Sequence, residues 1–208
     1  MFSRGIDRMR WDGAMRTLQR SLGGAAASIV LLSLAATGAL AHQTATHKSP
    51  AAHRAASTAT LPLIDLAGYQ RVLAKYRGKP TMVTFWATWC EPCRYEFPMI
   101  VELTRQYAPK GLSVFGVSLD NDADMHLVRD FLAKNQPTFS SYRQKPGIDV
   151  DAFYRGVNPS WTGTMPQTIF YNRDGQIAGY FFGGQPREMF ERAIQMILAS
   201  PAAPGASR

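Results

Sequence analysis

The sequence is short of the residues that several chemistries need. It holds two cysteines in 208 residues, Cys90 and Cys93, and four histidines. His42, His47 and His53 fall in a low-complexity stretch, and His126 stands alone. A zinc site takes four ligands, usually as two Cys/His pairs. The second pair is missing here, so counting ligands argues against zinc. The net charge of +8 is lopsided. Residues 1–60 carry seven Lys/Arg against two Asp, whereas residues 61–208 carry sixteen against thirteen Asp/Glu. The second part has no basic stripe interleaved with aromatics, which argues against nucleic-acid binding. Asp120-Asn121-Asp122-Ala123-Asp124 lacks the glycine and the distal glutamate of an EF-hand calcium loop. It reads as a solvated helix cap. Nothing resembles a flavin or nicotinamide site, so no cofactor is expected, and no internal repeat is visible.

What the chain does have is the composition of one globular domain: 46% hydrophobic, 11% aromatic and 18% charged. The first 41 residues read as a targeting segment. Arg4, Arg8, Arg10, Arg16 and Arg20 precede an uncharged stretch from Ser21 to Ala41, and Ala39-Leu40-Ala41 fits a small-x-small cleavage site. A start at Met15 would give a signal of more usual proportions. The rival reading is an uncleaved anchor in the inner membrane, since the stretch is long enough to span a bilayer. Both readings put the domain outside the cytoplasm, in the periplasm, with the arginines left inside. Residues 42–60 are Ala/Thr/Ser/His-rich and read as a flexible linker. The domain is expected over 61–200 and a short tail over 201–208.

Cys90 and Cys93 lie in Trp89-Cys90-Glu91-Pro92-Cys93. Before them, Thr81 to Trp86 is a β-branched and aromatic run that predicts a buried strand. After them, Phe97, Ile100, Val101, Leu103 and Tyr107 recur at helical spacing, which predicts a helix over Arg94–Tyr107. The pair therefore sits where a strand turns into a helix. Unpaired N–H groups and the dipole at a helix start stabilise an anion, which lowers a thiol's pKa and makes the thiolate a nucleophile. Cys90 reads as the exposed attacker and Cys93 as the resolving thiol. A purely structural disulfide is the rival, though so short a loop gains little from closure. The remaining pattern predicts a helix over Leu63–Tyr76, a strand at Leu112–Leu119 and a helix ending near Asn135. A short helix at Asp149–Tyr154 follows. A hairpin of Thr168–Tyr171 and Ile177–Phe182 turns about Asp174-Gly175, and a last helix covers Gln185–Leu198. That order gives an α/β class, a mixed central sheet flanked by helices.

Phe85-Trp86-Ala87-Thr88-Trp89-Cys90-Glu91-Pro92-Cys93-Arg94 resembles a thioredoxin-fold active site, and the continuation to Tyr95-Glu96-Phe97-Pro98 resembles the TlpA/ResA-like branch of extracytoplasmic thiol–disulfide oxidoreductases. The resemblance covers about Leu61 to Ser200. It implies a thioredoxin-like fold, a redox-active Cys90–Cys93 disulfide, and a cis-proline at Pro166 facing the pair. Met165 and Trp89 would meet substrate beside Pro166. It also implies a glutamate near the site at Glu96, the best candidate for the resolving thiol's proton because the slot that holds an aspartate in ordinary thioredoxins is Thr84. Glu91 and Pro92 form the spacer that tunes the potential, and the acidic Glu91 opposes the Cys90 thiolate, which points to a reductant. Pro98 is expected to kink the helix. Trp86 reads as core, Trp89 as a cover over Cys90, and Trp161 as a rim near Pro166.

The implied activity is reduction of disulfide-containing client proteins, with apocytochrome c or copper-site maturation proteins as clients and a membrane thiol-reductant donor to reset the pair. An oxidase or isomerase on the same fold is one alternative. A copper-binding thiol chaperone is another. A peroxidase role is disfavoured because peroxide-reducing relatives place their reactive cysteine differently.

Overall fold

The computed structural model describes residues 61–201. The targeting segment expected over 1–41, the linker over 42–60 with its three histidines, and the tail beyond Pro201 lie outside the described residues.

Strand β2, Thr81–Trp86, is the centre of the sheet, and all six of its residues are buried. A run of Thr, Val and aromatics suits a strand covered on both faces. β2 pairs in parallel with β3, Ser113–Ser118, and antiparallel with β5, Gln167–Tyr171. β3 continues in parallel to β4, Ser140–Gln144, which pairs with the two-residue β1, Leu63–Ile64. On the other side β5 pairs antiparallel with β6, Ile177–Phe182. The order is β1-β4-β3-β2-β5-β6. Among the described residues five α-helices complete the fold: α1 Leu66–Ala74, α2 Glu91–Tyr107, α3 Met125–Asn135, α4 Val150–Val157 and α5 Arg187–Ala199. This is the mixed sheet flanked by helices that the order of elements predicts.

Successive residues of β2 point to opposite faces. Phe85 meets Tyr69 of α1 and Phe153 of α4, with ring centroids 5.7 and 6.4 Å apart. Trp86 meets Phe97 of α2 at 4.9 Å, and Met82 joins Ile100, Leu103, Phe190 and Ile194 in a second cluster under α2 and α5. Aromatic pairs at these separations are worth about 0.5–1.5 kcal/mol each beyond the area they bury. Packing of this kind makes the strand a rigid support for the loop that leaves its C-terminal end.

Two expectations are corrected and one element is added. The helix expected from Leu63 begins only at Leu66, because Leu63 and Ile64 pair with Arg143 and Gln144 and Asp65 caps the helix by accepting from Gly68 N–H at 2.7 Å. Strand β4 is an addition to the expected elements, since Ser-Ser-Tyr-Arg-Gln lacks apolar alternation. Its Arg143 is nevertheless 3% exposed and pairs with Asp122. Asp120, read as part of a solvated cap, is 2% exposed, and α3 begins five residues later after a single 3-10 turn at Asp122–Asp124. Pro98 lies inside α2 without ending it.

Candidate active site

The chain leaves β2 at Trp86, passes through Ala87, Thr88 and Trp89, and enters α2 with Cys90 as the N-cap. An N-cap residue has extended backbone and offers its side chain to the N–H two or three residues on. Cys90 does this with sulfur: φ is −87° and ψ is 104°, and Sγ accepts from Cys93 N–H at 3.3 Å. Cys90 and Cys93 form a disulfide, with Cα atoms 5.3 Å apart. Helical geometry places residue i+3 beside the cap, so a two-residue spacer brings both sulfurs together.

The expectation of an exposed Cys90 is corrected. Cys90 is 6% exposed and Cys93 2%. Bonded to Cys93, the Cys90 sulfur turns into the first turn of α2 rather than out of it. Trp89, expected as a cover, is 58% exposed. Trp86 is core, as expected, whereas Trp161 is not a rim. It is 1% exposed, packed between the tilted rings of Phe85 at 4.7 Å and Tyr154 at 4.1 Å, with Nε1 donating to the Thr164 carbonyl at 2.9 Å. Glu91 and Pro92, the spacer, are both exposed.

Glu96 follows Cys93 on α2 and is 6% exposed. Its Oε2 accepts the backbone N–H of Gln185 at 3.1 Å. Burial outweighs that bond and pushes the carboxyl up to about 7. Glu96 and Cys93 border one small space together with Thr84, Phe97 and Pro166. The Met165–Pro166 bond is cis. Pro166 is buried and Met165 half-buried. The segment after β6 closes the far side: Gly183 N–H donates to the Pro166 carbonyl at 2.8 Å, and a Cβ on Gly184 would stand 3.7 Å from Pro92 Cβ. The structure thus gathers Cys90, Cys93, Glu96, Pro92 and Pro166, which lie up to 76 residues apart in the chain.

Sequence reasoning missed the other side of the loop. Asp120, two residues past β3, accepts Thr88 N–H at 2.9 and 3.1 Å, accepts the Thr88 hydroxyl, and accepts the Ser118 hydroxyl at 2.7 Å. Arg143 Nη1 donates to the Asp120 carbonyl at 3.3 Å. The only sequence signal was an acid at the end of an apolar strand, and it pointed equally to solvent. Gln185, which serves Glu96 through its backbone, left no sequence signal.

The chain is similar to known proteins. The AhpC/TSA family matches residues 52–180. The thiol-disulfide oxidoreductase ResA of a Bacillus cereus strain is 29% identical over 133 residues, which is 64% of this chain and 72% of that protein. Its namesake in Geobacillus kaustophilus is 27% identical over 170 residues, 82% and 92% of the two chains. Among solved structures, a putative thiol:disulfide interchange protein DsbE from Chlorobium tepidum is similar with a TM-score of 0.52 at 28% identity, covering 61% of this chain and 85% of that one.

Proposed function

Because this chain belongs to the AhpC/TSA family, with its thioredoxin-like fold, we propose that it is an extracytoplasmic thiol–disulfide oxidoreductase that reduces disulfides in client proteins through Cys90 and Cys93. The observation that carries the reading is a disulfide whose first sulfur caps a helix start and whose second faces a buried carboxyl poised at about 7.

In the reduced enzyme the Cys90 thiolate, favoured by the start of α2, attacks one sulfur of a client disulfide. A mixed disulfide forms and the other client sulfur leaves as a thiolate. Cys93 then gives its proton to Glu96 and attacks Cys90 Sγ. The intramolecular disulfide closes, and the second client sulfur leaves and takes up a proton. Two electrons have passed from the dithiol to the client. Trp89, Met165 and Pro166 contact the client chain, with the Met165 backbone offering strand-like pairing. A donor of two electrons, of the class of membrane thiol reductants, reopens the ring. Glu91 opposes the Cys90 thiolate and Pro92 stiffens the spacer, which favours the disulfide form and so makes the dithiol a good donor. Apocytochrome c and copper-site proteins are the client classes that the resemblance supports. The periplasm is the compartment, and the inner membrane holds the chain if its leader is retained.

Equilibration with glutathione tests the direction. A potential nearer thioredoxin's, about −270 mV, supports a reductase, and one near about −120 mV overturns that direction in favour of an oxidase. Insulin reduction compared with refolding of a scrambled substrate separates reductase from isomerase.

A further inference from the structure

The reaction just described leaves one buried acid without a part. Asp120 is 2% exposed and lies two residues past β3, yet its carboxylate holds a residue of the loop that carries Cys90. It takes both the N–H and the hydroxyl of Thr88. It is itself fixed from behind, by the Ser118 hydroxyl on its carboxylate and by Arg143 on its backbone carbonyl. Arg143 is 3% exposed and is held in turn by Asp122. The next link is short. The Ala87 carbonyl accepts Cys90 N–H at 3.2 Å, so residues 87–90 form one turn with Thr88 inside it. In that turn only Trp89 is exposed. Pinning Thr88 inward fixes the side to which Trp89 points and the place from which Cys90 enters α2.

We propose that Asp120 is a positioning residue of the redox step, acting through Thr88 to hold Cys90 where ring closure with Cys93 occurs. This rests on the oxidoreductase reading above. Ring closure is intramolecular, and its equilibrium follows the effective concentration of one thiol at the other. Cys93 is carried by the body of α2. Cys90 is the cap: its carbonyl accepts Arg94 N–H at 3.2 Å, and the turn behind it sets the rest of its freedom. Hydrogen bonds to a carboxylate are among the stronger ones, so the Asp120–Thr88 clamp is the part of that turn that restrains it. Loosening the clamp lowers the effective concentration and favours the open dithiol, whatever it does to the overall fold.

The test uses the full chain with Thr88→Val, Thr88→Ser or Asp120→Asn, equilibrated with glutathione, and the melting temperature of both redox forms. Thr88→Val is expected to lower the equilibrium constant for ring formation about tenfold, which is ~30 mV toward a more oxidising potential. Thr88→Ser keeps the hydroxyl and restores the native constant. Asp120→Asn moves it at least as far as Thr88→Val. In the unaltered protein, the Thr88 amide is expected to exchange slowly in both redox states, and rapid exchange in either overturns the proposal without any variant. So does a Thr88→Val constant within about twofold of native accompanied by equal loss of melting temperature in both forms. If the unaltered ring itself fails to open with glutathione, the oxidoreductase reading falls and the positioning role falls with it. A normal native ring with unmoved variants sinks the positioning role alone.

Discussion

Glu96 and Asp120 stand on two sides of the same loop, Glu96 on α2 beyond the cysteines and Asp120 just past β3, against Thr88 before them. Both are carboxylates, and both are buried. Glu96 has one backbone N–H from Gln185 and otherwise borders the apolar space beside Cys93. Asp120 has two hydroxyls and a backbone N–H, with Arg143 behind it. Burial costs a carboxylate its charge unless donors replace water. With a single donor, Glu96 is left near the pH at which protons are exchanged. With three, Asp120 is built as a brace. The number of donors, rather than depth, is what differs between the two acids.

The comparison breaks completely if the sulfurs are not the centre that both acids serve. Cys90→Ser is therefore expected to abolish insulin reduction while leaving the fold intact, and Cys93→Ala to accumulate a mixed disulfide that a non-reducing gel detects. A Cys90→Ser protein that still reduced insulin would remove the reason for grouping the two acids.

Next in size is the brace. Asp120→Ala leaves Thr88 N–H and two buried hydroxyls without their acceptor, at about 1–3 kcal/mol for each unsatisfied group. A loss of about 3 kcal/mol or more is expected in urea unfolding of the oxidised protein. A loss under about 1 kcal/mol would mean that water replaces the carboxylate freely.

Glu96 should behave in the opposite sense. Its carboxyl rises from 4.5 to about 7 on folding. Between those values the folded chain keeps a proton that the unfolded chain has released. Stability therefore falls as pH rises through that window, and the loss is complete above about 7. At 1.36 kcal/mol per pH unit this is about 3 kcal/mol. Glu96→Gln keeps an acceptor for Gln185 N–H and removes the charge. It is expected to raise stability at pH 8 by about 2–3 kcal/mol and to leave it unchanged at pH 4. The same variant should slow release of a trapped mixed disulfide at least about tenfold, read by quenched-flow alkylation, and should flatten its pH dependence near 7. A stabilised but equally fast variant would detach Glu96 from the chemistry.

Trp89 supplies the smallest effect on the fold. At 58% exposure, Trp89→Ala should change stability by no more than about 0.5 kcal/mol. It should raise KM for a protein client with little change in kcat, which steady-state kinetics would resolve.

Legibility in the sequence followed locality. The strand before the cysteines, the helix after them and the hairpin about Asp174-Gly175 each come from a continuous run whose period is visible in a dozen residues, and the structure has them at nearly the expected bounds. Strand β4 was invisible because its buried Arg143 is held by Asp122 and the Asp120 carbonyl, more than twenty residues away, and not by a pattern of its own. Glu96 was legible as a candidate by its place after Cys93, but its surroundings were not, since they come from Gln185 before α5, Thr84 of β2 and Pro166.

The sequence by itself determined that two sulfurs sit three residues apart at a strand-to-helix junction, because spacing and periodicity are properties of a contiguous segment. Only the tertiary structure decided which acids lose their water, that the bonded Cys90 turns inward, and that Trp161 is core. Those outcomes depend on which distant side chains and N–H groups arrive beside each residue, and burial is a sum over neighbours that no single stretch of chain contains.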